Sequence, residues 1–275
     1  MSHRFKVALL THLILALAAL CFLLPFVWIA LAAFKTQIAL LTGQILFHPT
    51  IKNFADVLFS GTSDYLHQCL DSLIIAVGSA SLDLVIATLA AFSLNWMRWP
   101  RWCFVAMIGW TVIFHMVPPI TLAAAWYAMF RPLGLDNTYI GMILAHATIN
   151  LPLTLWLMLS FMADIPGEIL EAARIDGAMP GQILGRVVLP LVRPGLAAAA
   201  VLAFIFSWNE FPVALTLTQR TTATVPVGIS SFAQDAEIQY PQMAATALLS
   251  ILPAIALLLG ARRLIVKGLT VGAIK

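Results

Sequence analysis

Three side chains that can bind or transfer a proton lie in stretches that are otherwise apolar: Asp83, His146 and Glu210. An ionisable group placed inside a bilayer costs about 2.5–3.5 kcal/mol on insertion scales, and it usually faces protein or water. Such a group either stabilises contacts between helices or contacts a polar solute on its way through. The sequence leaves both roles open for all three.

Asp83 lies on a row of small residues spaced every four positions, with Ser79 before it and Ala87 and Ala91 after it. Residues at this spacing share one face of a helix, and small side chains let two helices approach closely. The pattern predicts that Asp83 points into a helix interface or toward a translocation pathway.

The stretch Ser207-Trp208-Asn209-Glu210 combines an aromatic ring with hydroxyl, amide and carboxyl groups. On a continuous helix Ser207 and Glu210 share a face at i, i+3, with Asn209 beside them. An aromatic surface next to these groups suits a sugar, which offers apolar ring faces and many hydroxyls. Helix packing is the alternative interpretation.

His146 and Asn150 are one helical turn apart and are followed by Pro152, whose ring frees a backbone carbonyl near that level. His115 is a further candidate of the same kind. Each can be a packed, hydrogen-bonded residue or can contact a ligand. The histidines form no HxxxH or HExxH array, so the sequence gives no support for a metal site.

The most conspicuously charged segment runs from Pro166 to Pro190. Pro166 suits the first turn of a helix, and residues 167–175 can form about two turns. Asp176-Gly177 ends that helix, because glycine accepts the left-handed conformation common at helix ends. A second amphipathic piece, 183–189, leads into Pro190. The segment is therefore predicted as a short helix, a sharp turn and another short helix.

Part of this segment follows a long gapped pattern: Glu-Ala-Ala, three residues, Gly, nine residues, Ile, one residue, Leu-Pro. Val187 stands where Ile is usual. The residues that match are Glu171, Ala172, Ala173, Gly177, Leu189 and Pro190. The pattern resembles the EAA signature of ABC importer permeases. That resemblance makes these residues, with Asp176, a cytoplasmic coupling helix that docks into a groove on an ATP-hydrolysing subunit. An ordinary amphipathic helix resting on the membrane surface is the alternative.

Two further stretches are similar to the carbohydrate-type branch of that family. Leu133–Thr138 looks like its short external turn before the fourth span, and Gly268–Lys275 looks like its Gly-Leu-Thr-x-Gly-Ala-x-Lys ending. The chain departs from the usual pattern at Asp71, where Asn is common, and at Phe92-Ser93-Leu94. These departures concern the particular substrate and leave the fold unaffected.

The elements that position these residues follow from composition. The chain is 61% hydrophobic and 10% charged, with a mean hydropathy of +0.96, which excludes a soluble protein. Its apolar runs are long enough to cross a bilayer. We expect one all-α membrane domain over residues 1–275, with six spans at about 7–34, 70–95, 102–130, 138–162, 195–217 and 242–261. The first run is too long for a signal peptide. Met116 and Pro118-Pro119 predict a bend in the third span.

An even number of spans puts both termini on one side of the membrane. Of the 15 Lys and Arg residues, 11 fall on that side, and Lys35, Lys52, Arg131 and Arg220 fall on the other. Because basic residues concentrate in cytoplasmic loops, the termini and the loop 163–194 are expected in the cytoplasm. The external loop 218–241 carries a threonine cluster and the acidic residues Asp235 and Glu237.

The resemblance implies the type I ABC importer permease fold in a bacterial inner membrane. A related second permease, two ATPase subunits and an extracytoplasmic solute-binding protein are the expected partners. The loop 218–241 would reach the binding protein, and the tail 262–275 would lie against the ATPases. The chain has no GxxxxGK[ST] loop, so we expect no catalytic residue and no bound cofactor here, with ATP and Mg²⁺ on the ATPase subunits.

Other functions are less well supported. An ion-coupled secondary transporter using Asp83, Glu210 and His146 is the main alternative, but such proteins often contain internal repeats, and none is visible. A membrane-embedded enzyme lacks a nucleophile–base pair or a metal constellation. A net charge of +3 gives no indication of nucleic-acid binding, and the three cysteines show no CxxC spacing.

Overall fold

The computed structural model describes residues 3–61, 63–97, 99–233 and 238–271, with side chains from residue 10 to residue 262 of these ranges. Asp235, Glu237, the last four residues and Arg98, which is one of the 11 basic residues counted above, lie outside the described residues. The part of the chain that is described contains helices and no strand, which confirms the all-α prediction.

The helices follow the apolar runs of the sequence. In the first half they are α1 (His3–Ala33), α2 (Gln37–Leu41), α3 (Lys52–Phe59), α4 (Tyr65–Trp96), α5 (Arg101–Met116), α6 (Pro119–Phe130) and, after the 3₁₀ turn Arg131–Leu133, α7 (Tyr139–Ala163). In the second half they are α8 (Gly167–Ile175), α9 (Pro180–Gln182), the π-helical turn Ile183–Val188, α10 (Leu189–Leu191), α11 (Arg193–Trp208), α12 (Pro212–Leu217), α13 (Val225–Ser231) and α14 (Tyr240–Val271).

Four of the described helices are long and apolar enough to cross a membrane, and there are up to six spans if each of two bent helix pairs counts as one. The first bent pair is α5 and α6, which meet at 99°. Proline disfavours helical conformation in the residue before it and cannot donate its own backbone hydrogen bond. Pro118 and Pro119 therefore end α5 and start α6, and the bend predicted in the third span is confirmed.

The chain divides into two compact units. The first unit consists of Met1–Leu66 and Gly228–Leu252. Within it, the end of α1 packs through Ala32 and Ala33 against Ala244 and Ala245 of α14. The side-chain amide of Asn53 donates to the carbonyls of Ala33, at 2.7 Å, and Lys35, at 2.9 Å. The first bond satisfies a carbonyl that the end of α1 leaves without a helical partner, and the second bonds the turn that follows.

The second unit consists of His67–Val227 and Pro253–Lys275 and contains the candidate site residues. Within it α7 packs along α11, and α4 contacts α7. Gly78 lies so close to Ile143 that a Cβ at residue 78 would come within 2.6 Å of the isoleucine side chain. Farther along both helices, Ala87 and Ala91 share a buried core with Met158. Small side chains on α4 thus permit close helix contact, as the spacing predicts.

Candidate functional site

The segment between α7 and α11 folds as a helix, a turn and a second helical piece. Pro166 immediately precedes α8, one position earlier than the predicted first turn, and Asp176 follows its last residue. Gly177 has a φ of +79°, a left-handed conformation that side chains other than glycine rarely adopt. The second piece begins at Pro180 and contains the π-helical turn, a feature that is frequent at functional sites.

One face of this segment packs on the membrane helices. Leu170, Ile183 and Val188 are buried in the core that contains Ala87 and Ala91 of α4. The guanidinium of Arg174 donates to the backbone carbonyl of Trp96, the last residue of α4, at 3.1 Å. This bond joins α8 directly to the end of α4.

The opposite face is open. Among the predicted coupling residues, Ala173 and Leu189 are half-buried, and the exposed ones are Glu171, Ala172, Asp176, Gly177 and Pro190. Ile175 and Met179 stand beside them with 86% and 70% of their surface exposed. Large apolar side chains exposed next to a carboxylate are typical of a protein-binding surface, with an apolar centre and a polar edge.

Inside the second unit, three polar side chains from three helices form one chain of contacts. Ser79 Oγ donates to Ser207 Oγ at 2.9 Å, and Ser207 Oγ lies 2.7 Å from His146 Nδ1. All three residues are buried. If Ser207 donates to Nδ1, the imidazole proton is on Nε2, which lies 3.4 Å from Glu210 Oε2. Nε2 has no hydrogen-bond partner among the described residues, so this last contact is proximity and not a hydrogen bond.

Glu210 also caps a helix. Its two carboxylate oxygens accept from the backbone N–H groups of Val213 and Ala214, each at 2.9 Å. These are the first-turn donors of α12, which begins at Pro212. The predicted fifth span is thus interrupted between Trp208 and Pro212, and Ser207 and Glu210 meet at His146 although no continuous helix joins them.

The aromatic ring of this motif faces the interior. Trp208 is 3% exposed and stacks on Phe204 with ring centroids 5.6 Å apart. Asn209 is exposed, and its side-chain amide donates to the Ile205 carbonyl at 2.8 Å. Of the two interpretations of this motif, the geometry within this chain favours packing for Trp208 and capping for Glu210.

Asp83 is fully buried, as are Ser79, Ala87 and Ala91 of the same row. Neither carboxylate oxygen has a hydrogen-bond partner among the described residues. A buried charge is costly unless it is paired, so this carboxyl either is neutral or finds a partner outside the described residues. Its place inside a helix interface agrees with the small-residue pattern.

Asn150 lies apart from the contacts around His146. It lines a cavity of about 200 Å³ beside the bend between α5 and α6. The other lining residues are mostly apolar or aromatic, and they are Phe114, His115, Val117, Pro119, Leu122, Ile149, Leu153 and Phe206. The predicted pathway residues therefore divide into a buried network around His146 and a cavity that holds Asn150 with His115. No three His, Cys, Asp or Glu side chains among the described residues come close enough to hold a metal ion.

Two contacts at the start of α4 and α7 were not predicted. The hydroxyl of Tyr139 donates to Asp71 Oδ1 at 2.7 Å, and the backbone N–H of Val225 donates to Ser72 Oγ at 2.8 Å. The adjacent polar residues Asp71 and Ser72 at the beginning of an apolar run were the available signal, but their partners come from distant parts of the chain.

Comparison with known proteins gives consistent results. Residues 83–271 match the family described as binding-protein-dependent transport system inner membrane component. The trehalose transport system permease protein SugB of Mycobacterium tuberculosis is 33% identical over 92% of this chain and 92% of its own length. The trehalose/maltose transport system permease protein MalG of Thermococcus litoralis is 32% identical over 94% of each chain.

The fold is also found in a solved structure. A chain from the crystal structure of a bacterial ABC transporter involved in the import of the acidic polysaccharide alginate superimposes with a TM-score of 0.77. The similarity covers 96% of this chain and 98% of that chain, at 21% sequence identity. At this identity the likeness concerns the fold alone.

Proposed function

This chain belongs to the family of binding-protein-dependent transport system inner membrane components, and we propose that it translocates a carbohydrate, polyol or sugar derivative into the cytoplasm. Members of the family are permease subunits of ABC transporters, in which a separate subunit hydrolyses ATP. The chain is therefore a translocation subunit and not an enzyme. Relatives named for trehalose and for trehalose/maltose transport support the substrate class.

The observation that supports energy coupling most directly is the exposed face of the segment after α7. Glu171, Ile175 and Met179 are exposed there, whereas Leu170 on the other side is buried against the membrane helices. A groove on an ATPase subunit can bind the apolar side chains, with Glu171 at the edge. Because Arg174 bonds the end of α4, movement of the docked segment would move α4 as well.

The proposed assembly has four kinds of subunit. A related second permease completes the pathway, two ATPase subunits bind ATP and Mg²⁺ below, and an extracytoplasmic solute-binding protein delivers the substrate above. The distribution of basic residues, 11 against 4, supports cytoplasmic termini and a cytoplasmic coupling segment. ATP binding would bring the ATPases together, and the coupling segments would then turn the cavity outward.

Within this subunit, the cavity that holds Asn150 and His115 is the proposed substrate contact. Apolar and aromatic walls can pack on sugar ring faces, and an amide and an imidazole can bond hydroxyls. None of the described residues that line the cavity is Lys or Arg, so a neutral carbohydrate fits better than an acidic one. Of the other predicted pathway residues, Asp83, His146, Ser207 and Glu210 would support the helices around the path, and Asn209 stays exposed at the end of α11.

The test is uptake by the purified complex in proteoliposomes. Labelled trehalose and maltose should accumulate only when ATP is enclosed with the ATPases and a solute-binding protein is present on the other side. Collapse of proton and sodium gradients should leave the rate unchanged. Uptake that needs a gradient and ignores ATP would instead establish the secondary-transporter alternative.

A further inference from the structure

The turn before α7 contains a backbone conformation found in no other non-glycine residue of the described chain. Asn137 has a φ of +53°. Asparagine tolerates this left-handed region better than most residues because its short polar side chain can bond nearby backbone. Thr138, which follows it, caps α7 by accepting from the Gly141 N–H at 3.1 Å. Asn137 is thus held at a fixed point where α7 begins.

From this position Asn137 bonds a segment about 80 residues later in the sequence. Its Oδ1 atom accepts from the Gln219 N–H at 2.9 Å and from the Thr222 hydroxyl at 2.7 Å. Its Nδ2 atom donates to the Thr221 hydroxyl at 2.7 Å. Its backbone N–H donates to the Leu217 carbonyl at 2.8 Å. One side chain therefore fixes three positions within four residues of the segment, 219, 221 and 222, through both of its polar atoms.

We call residues 217–225 the strap, because hydrogen bonds join its first residue to Asn137 and its last residue to Ser72 of α4. At its far end, Thr224 and Val225 are buried and the Val225 N–H donates to Ser72 of α4. Between the ties, Gln219, Arg220 and Thr221 are exposed. Most of the strap is thus committed to contacts inside this chain, and residues 219–221 form its exposed tip.

We propose that Asn137 is a positioning residue for the solute-binding protein, since it holds the tip of the strap in the conformation that this partner contacts. The proposal rests on the proposed function, because it assumes a binding protein at the end of the helices opposite the coupling segment. The 25 residues of α7 separate Asn137 from that segment by about 37 Å at the helical rise of 1.5 Å per residue.

The physical reason is preorganisation. A short polar segment without fixed contacts samples many backbone conformations, and ordering it on binding weakens the complex. The bonds from Asn137 order the tip before the partner arrives. The tip offers an amide, a guanidinium and a hydroxyl, which suit the polar edge of a protein interface. Loss of the bonds should therefore weaken binding and leave the rest of the transporter intact.

The variant Asn137→Gly tests the side-chain hydrogen bonds of Asn137 separately from its backbone conformation. Glycine adopts the same φ without strain, so the variant removes the three side-chain bonds and keeps the turn. Asn137→Asp is the conservative variant, because a carboxylate still accepts from Gln219 and both threonines can donate to it. The matched control is Asp136→Asn, a neighbouring change at a side chain for which the described residues provide no hydrogen bond.

The measurement is ATP hydrolysis by the complete complex in nanodiscs, titrated with a solute-binding protein that stimulates the wild-type complex. Asn137→Gly should raise the half-maximal concentration of binding protein about tenfold. Its basal hydrolysis should equal that of wild type. Asn137→Asp and Asp136→Asn should stay within about twofold of wild type. Thr222→Val, on the other side of the contact, should give a shift of the same direction that does not add to that of Asn137→Gly.

The outcomes separate the two proposals. A wild-type complex that no binding protein stimulates would refute the proposed function. A stimulated wild-type complex and an Asn137→Gly complex with the same half-maximal concentration would overturn the positioning role. A lower thermal midpoint without a change in that concentration would also overturn it, because Asn137 would then serve the fold alone.

Discussion

The Nδ1 atom of His146 lies 2.7 Å from the Oγ atom of Ser207, and this contact joins α7 to α11 inside the second unit. Ser79 extends the contact to α4 through its own bond to Ser207. All three side chains are buried, and Ser207 is the contact that Ser79 and His146 share. The network holds three helices at one level and explains why polar residues are tolerated in these apolar spans.

Replacing Ser207 should destabilise the permease. Ser207→Ala leaves Ser79 and His146 without their shared partner, and a buried polar group left unpaired costs about 1–3 kcal/mol. We expect a lower thermal midpoint in detergent. Ser81→Ala, at an exposed serine of the same α4, should change the free energy of unfolding by less than about 0.5 kcal/mol. Equal midpoints for the two variants would show that the network contributes nothing to stability.

Glu210 should act through the helix that it caps. Glu210→Ala removes both acceptors for the first turn of α12 and should cost about 1–2 kcal/mol, as for other lost caps. Glu210→Gln keeps one oxygen and should have a smaller effect. Membrane abundance should fall while the uptake rate per molecule stays normal. A Glu210→Gln protein of normal abundance with an altered KM would place the carboxylate on the substrate path instead.

Asp83 should tolerate its neutral isostere. The carboxyl is fully buried and has no partner among the described residues, so an ionised form there is unfavourable. Asp83→Asn should therefore equal or exceed the wild type in thermal midpoint and retain uptake. Asp164→Asn, at an exposed position just after α7, serves as the control. Normal folding with lost uptake in Asp83→Asn alone would instead assign Asp83 a direct role in transport.

The cavity beside the α5–α6 bend should set substrate affinity. Asn150→Leu and His115→Ala should each raise the KM for sugar uptake about five- to tenfold, the effect of one lost hydrogen bond. Thr148→Val is the matched control on α7, because that hydroxyl donates to Leu144 of the same helix. If Asn150→Leu and His115→Ala kept the same KM as Thr148→Val and the wild type, this cavity would not contact the substrate.

Much of the fold follows from local sequence signals. Apolar length predicts the spans, Pro118 and Pro119 predict the bend in the third, and Gly177 predicts the turn after α8, which the structure shows with a left-handed φ. These signals work because proline and glycine restrict or permit backbone conformations wherever they occur. The exposure of Glu171 beside a buried Leu170 follows equally from helical periodicity.

The tertiary contacts of the site could not be predicted in the same way. Ser79 and Ser207 are 128 residues apart, and the sequence around either residue does not indicate that the other is its partner. The break after Trp208 had a local signal, since an acidic residue two positions before Pro212 is typical of a helix start. The apolar composition of residues 195–217 obscured it. For Trp208 the sequence leaves both a sugar surface and helix packing open, and within this chain the ring stacks on Phe204.

The most direct test of the account is a tagged purification in mild detergent, made in parallel for the wild type, Glu171→Lys and Asp164→Lys. We predict that the wild type and Asp164→Lys elute with a second permease and an ATPase and hydrolyse ATP. Glu171→Lys should lose the ATPase, because the reversed charge lies on the exposed face of α8. A wild-type chain that purifies alone and drives uptake under an ion gradient, unaffected by Glu171→Lys, would contradict the account.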